Sequence, residues 1–144
     1  GQALIGDGTG NVGWGDVATV GLQSRKTAQV TQSIANNAAA NVSLSTAKGF
    51  ALYSIETSHA AWVTLYTSTT ARTADAGRLE TTDPTPGSGV LSEVITTGAI
   101  TQLITPGTIC FNSSPTATTY AKVVNKSGST ANVTVTLTYV QIEN

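Results

Sequence analysis

From Asn132 to Ile142 the sequence NVTVTLTYVQI sets Val133, Val135, Leu137 and Tyr139 at one parity and Thr134, Thr136 and Thr138 at the other. Successive side chains of a strand point to opposite faces, so this alternation predicts a half-buried β-strand. Ala61 to Thr67 (AWVTLYT) alternates in the same way, Val63 and Leu65 against Trp62, Thr64 and Tyr66. Phe50 to Ser58 places Ala51, Tyr53 and Ile55 opposite Phe50, Leu52 and Ser54, which predicts a central strand covered on both sides, with AWVTLYT as its antiparallel neighbour. Arg25 to Ile34 and Asn41 to Ser45 flank an Asn36-Asn37 turn signal and predict a hairpin. Val90 to Thr97, Ile100 to Thr105, Thr108 to Asn112 and Thr119 to Asn125 are four more strand candidates, and Lys126 to Thr130 reads as a hairpin loop before the last strand. Many short strands at near-regular spacing and no helical period predict an all-β fold. The expected architecture is an antiparallel, jelly-roll-like β-sandwich over residues 23–144.

Two segments stand outside this pattern. Residues 1–22 carry glycine at every second or third position from Gly6 to Gly15, a spacing that works against both helix and regular strand. The expectation is an extended or turning arm anchored by Leu4, Ile5, Val12 and Trp14, each able to return roughly 2 kcal/mol when buried against a neighbouring subunit. Such an arm is an assembly and attachment element. Ser68 to Gly89 holds two of the four prolines and no apolar period, and predicts a long surface loop. Loops of this length are usually functional or stiffened from within. Arg72, Asp75, Arg78, Glu80 and Asp83 are the charge cluster of the chain, and acid alternating with base in a Pro/Gly-rich loop predicts local pairing that holds the loop's shape.

Composition narrows the chemistry. Net charge is −1 and only 10% of residues are charged, which gives no field for nucleic acid or an anionic membrane. There is no Met, so Gly1 either follows an excised initiator or begins a fragment of a longer polypeptide. Cys110 is the single cysteine and lies in an apolar run, where it reads as a small hydrophobe rather than a nucleophile. The single His59 is too little for a zinc site or a Ser/His/Asp triad without a nucleophile-elbow motif. Gly8-Thr-Gly10-Asn-Val-Gly13 matches the dinucleotide fingerprint but lacks the strand and helix that make it work. Paired carboxylates among Asp75, Glu80 and Asp83 make a glycosidase the one enzyme class to weigh, and the loop-stiffening reading of the same residues is the simpler one. Sequons at Asn41, Asn112, Asn125 and Asn132 are expected by chance in so Asn-, Ser- and Thr-rich a chain. No enzyme activity, cofactor or metal is expected.

The run from Ala61 through Phe111, with its blocks LYTSTTARTAD, DPTPGSGV and EVITTGAITQLITPG, resembles a segment of structural proteins from tailed phages, marine and cyanobacterial ones above all. GQALIGDGTGNVGWG resembles an element found where a fibre shaft meets a terminal domain. The resemblance implies a virion-surface β-domain on an extracellular particle, often a homotrimer, without enzymatic activity. It implies a tail-fibre tip or a capsid-decoration domain, with other capsid or tail proteins as partners, and brings no catalytic residues. The alternative is a receptor- or glycan-binding module of a tail fibre. In that reading Trp62, Tyr66 and Tyr120 stack on sugars of a host surface glycan instead of filling the core.

Overall fold

The computed structural model describes residues 2–6, 9–10, 12–16 and 23–144. In chain order the elements are β1 (Gln2–Gly6), β2 (Val12–Asp16), β3 (Lys26–Ile34), β4 (Ala39–Ser45), β5 (Gly49–Thr57), β6 (Ala61–Tyr66), α1 (Thr69–Ala74), β7 (Val90–Ile95), β8 (Ile100–Phe111), β9 (Thr118–Asn125) and β10 (Ala131–Glu143). Two four-stranded antiparallel sheets result: sheet A in the order β3-β10-β5-β8, and sheet B in the order β4-β9-β6-β7. Between β3 and β10 every connection changes sheet except β6 to β7, which stays in sheet B by way of residues 67–89. This is the strand order of an eight-stranded jelly roll.

Three expected hairpins are therefore corners. The β3–β4, β5–β6 and β9–β10 connections carry the chain from one sheet to the other. A short polar turn between two alternating segments reads the same whether the chain returns to its own sheet or crosses to the facing one. The β9–β10 corner is held by Asn125, fully buried, whose amide donates to the Ile34 carbonyl at 2.7 Å and the Ser129 carbonyl at 2.8 Å. Its Oδ1 accepts from Ser127 N–H at 2.9 Å. The sequon there presents no accessible amide.

Inward-facing residues fill the space between the sheets. Val133, Val135 and Leu137 of β10, with Ile55 beside Leu137 on β5, pack toward Val63, Leu65 and Val123 of sheet B, all nearly or fully buried. Phe50 packs on Tyr139 with ring centroids 4.9 Å apart, and Cys110 joins the same core at 0% exposure. The hydroxyls of β10 point away and form a ladder with β3, Thr134 with Thr31 at 2.8 Å and Thr136 with Gln29 at 3.0 Å.

β5 departs from the expected phase. A bulge at Tyr53 shifts its register against both β10 and β8, so Phe50 and Leu52 before it and Ile55 and Thr57 after it all face inward while Tyr53 is exposed. The strand covered on both faces is β6, buried along its whole length. Ile100–Thr105 and Thr108–Asn112 are one edge strand, β8, broken by a register shift around Pro106, a residue tolerated where no ladder N–H is needed.

The glycine-rich segment also differs from its expectation. It forms a two-stranded antiparallel ribbon in which Leu4 pairs with Trp14 and Ile5 with Gly13. Two paired strands supply the backbone hydrogen bonds that a lone glycine-rich arm lacks. Leu4 is 60% exposed, and the side chains of Ile5, Val12 and Trp14 lie outside the described residues.

Candidate functional site

The outer face of sheet B is set by three rows of paired residues: Ile95, Trp62 and Val124; Glu93, Thr64 and Lys122; and Tyr66 with Tyr120. Residues 67–89 fold over this face. Ser68 caps α1, accepting from Ala71 N–H at 3.0 Å, and the chain returns through Gly89, whose carbonyl accepts from Thr67 N–H at 2.9 Å. Gly89 has φ +87°, and a Cβ there would sit 2.7 Å from both the Ala71 Cβ and the Thr67 Oγ1. Only glycine closes the loop this tightly.

The loop's charges point down onto the sheet. Asp75 accepts at Oδ1 from Arg78 Nε at 2.8 Å and at Oδ2 from the Tyr66 hydroxyl at 2.7 Å, with Lys122 Nζ 3.7 Å away. Arg78 also bonds Glu93, which accepts from Thr64 at 3.1 Å. Lys122 donates to the Asp75 carbonyl at 3.0 Å, and its ammonium lies 4.4 Å from the Trp62 ring centroid, with the Arg78 guanidinium at 5.2 Å. Each cation–π contact adds about 0.5–2 kcal/mol to a pair already withdrawn from water. At the flanks Lys126 pairs with Glu80 at 3.1 Å. Arg72 donates to the Val42 carbonyl at 2.8 Å and lies over the Tyr120 ring. Asp83 makes no ion pair among the described residues and borders an open cleft of about 310 Å³ with Arg78, Thr85 and Ser88.

The electrostatics follow from the packing. Burial opposes ionisation of Asp75, but the hydrogen bonds from Arg78 and Tyr66 and the charges of Arg78 and Lys122 outweigh it and hold the carboxyl below its ordinary value. Burial raises Tyr66 well above the ordinary phenol range, and the Asp75 carboxylate adds to the shift. Burial lowers Lys122, with Arg78 adding to the effect. Bonds to Asp75 and Glu93 raise Arg78. General-acid chemistry needs a carboxyl pushed up toward neutrality, and Asp75 is pushed the other way. The arrangement is a lock that pins a loop to a sheet.

Of the five charged residues singled out in the loop, Asp75 and Arg78 meet at the centre, Arg72 and Glu80 sit at the flanks, and Asp83 stays outside. Sequence reasoning missed Glu93, Lys122 and Thr64, which lie on strands at the parity opposite the core; the charged residues there were the available signal. Trp62 and Tyr66 are buried at 5% and 1% exposure, but beneath the loop and not in the core between the sheets. Tyr120 is half-buried. His59 sits at the β5–β6 corner with its Nδ1 2.8 Å from the Ser58 hydroxyl, and no carboxylate bonds it among the described residues. Among those residues no group of His, Cys, Asp and Glu is placed to hold a metal. No protein-family model matches the chain, and no curated protein is significantly similar to it.

Proposed function

We propose that the chain is a non-enzymatic structural module of a virion surface, a fibre-tip or capsid-decoration domain that acts by joining copies of itself and other virion proteins. One observation carries this reading: the central charge cluster of the molecule, Asp75, Arg78, Glu93 and Lys122, is consumed in holding the long loop against sheet B. Groups locked to each other in this way stiffen a scaffold, and Asp75, held ionised by its partners, is not poised to donate a proton. The phage resemblance of the Ala61 to Phe111 run gives the setting, and the β1–β2 ribbon is the element we assign to attachment. The glycan-binding alternative rested on Trp62, Tyr66 and Tyr120; the first two have no open ring face to offer a sugar.

The full chain should show no turnover on a panel of bacterial surface polysaccharides, and should self-associate in light scattering. Cleavage of any polysaccharide, abolished in a folded Asp75→Ala variant, would overturn the reading.

A further inference from the structure

Sheet B is covered by its own loop; among the described residues no loop folds over sheet A. On the outer face of sheet A one half is polar, with Thr101, Glu56, Thr136 and Gln29 in a single row across the four strands and Thr134 beside Thr31 in the next. The other half is apolar. Cys110 and Thr108 pair with the inward-facing Phe50 and Leu52, so Ile109 and Phe111 face outward, and Leu103 faces outward beside Ser54 beyond the bulge. Ala51, opposite Ile109, pairs on its other side with Val140 of β10. Exposure is 63% at Leu103, 59% at Ile109, 50% at Phe111, 43% at Tyr53 and 61% at Ile142.

Five side chains of this size leave on the order of 500 Å² uncovered, near the upper end for the largest apolar patch of a typical monomer. A stable interface takes roughly 800 Å² from each partner, so these side chains form its apolar centre and Ala51, Val140 and the free margin of β8 are the surfaces that extend it. The margins of sheet A differ as well. β3 shows Lys26, Gln29 and Gln32 to solvent, whereas β8 carries no charged residue from Ile100 to Phe111 and its edge is interrupted only around Pro106. Charges beside the apolar half have both signs: Arg25, stacked 4.7 Å over Tyr53, Glu56 in the polar row, and Glu143, which pairs with Gly49 opposite Phe111. A second copy of the same face therefore meets an apolar centre and a rim without net repulsion.

We propose that this half of sheet A, Tyr53, Leu103, Ile109, Phe111 and Ile142 with the margin of β8, binds a second copy of the chain and is its subunit contact. This deepens the assembly reading and rests on it. Because Ile109 and Phe111 are exposed, charging them leaves the core intact. In sedimentation and light scattering of the full chain, Ile109→Glu/Phe111→Glu should weaken self-association by at least about 100-fold. Its β-sheet circular dichroism and thermal midpoint should match the parent, and Ile109→Leu should assemble as the parent does. Undiminished assembly of the folded double variant would place the contact elsewhere and overturn the inference while leaving the assembly reading standing. A parent chain that is monomeric at about 100 µM would also overturn it. So would a monomer that associates only after residues 1–22 are removed, since its own ribbon would then be the occupant of the face.

Discussion

The Tyr66 hydroxyl donates to Asp75 Oδ2 at 2.7 Å, joining the last residue of β6 to the first residue after α1. The same carboxylate takes Arg78 on its other oxygen and faces Lys122, so one side chain ties the loop to two strands. Replacing it leaves two cations nearly buried with less compensation. Asp75→Asn should cost about 3 kcal/mol in urea-induced unfolding, the scale of breaking a buried pair from one side.

The same residue sets the acid limb. Its carboxyl titrates below the ordinary 3.8 in the folded state, so its contribution is complete above about pH 4 and is lost as pH falls through the folded value. The parent should lose stability with acid more steeply than Asp75→Asn. Equal slopes in a pH series of thermal melts would show that Asp75 is not the group concerned.

In alkali three buried groups act together. Burial pushes the Cys110 thiol from 9.0 up to about 12 and raises Tyr66 and Tyr139 above 10.0. The unfolded chain releases these protons first. Stability is therefore full below about pH 9 and falls above it, by about 1.4 kcal/mol per pH unit for each group titrating only in the unfolded state. Cys110→Ala should remove the part of the fall that begins near pH 9, as read from denaturant midpoints between pH 8 and 11.

Closure of the loop is testable at its two ends. Trypsin should cut the parent slowly at Arg72 and Arg78, whose guanidiniums are bonded to Val42 and to Asp75 and Glu93. Gly89→Ala places a Cβ in contact with Ala71 and Thr67 at a positive φ, at a cost of about 1–3 kcal/mol. Faster cleavage after Arg72 in that variant, with the sandwich fragment still folded, is the expected result.

Removing residues 1–22 should leave the sandwich's melting temperature within a few degrees of the parent. The extensive contacts of β1 and β2 are with each other, and a lone two-stranded ribbon adds little stability in water.

Period-two patterning made the strands of the sandwich legible almost residue by residue, because each has one face on a shared core, as Val133 to Tyr139 do. Sheet membership was not legible. Asn36-Asn37 and Lys126 to Thr130 look like hairpin turns, and only the packing of β3 against β10 and of β4 against β9 shows them to be corners. The bulge at Tyr53 was hidden because apolar residues occupy both parities of Phe50 to Ser58. α1 escaped notice because it buries no residue and carries no apolar period; its one local signal was Ser68 three residues before Ala71. The loop's own charges could be read, but the partners Glu93 and Lys122 lie 15 and 47 residues from the loop residues they hold. The apolar half of sheet A depends on that bulge and on the topology, so no single segment announced it.

Hydrogen–deuterium exchange of the full chain, followed over a range of protein concentrations, tests most directly the claim that the charged loop is scaffold and the bare face of sheet A is the working surface. Amides of residues 67–89 hydrogen-bonded within the loop should be protected at every concentration, and protection across Ile100–Phe111 should rise as the protein is concentrated. Loop amides exchanging at unstructured rates, with Ile100–Phe111 indifferent to concentration, would contradict it.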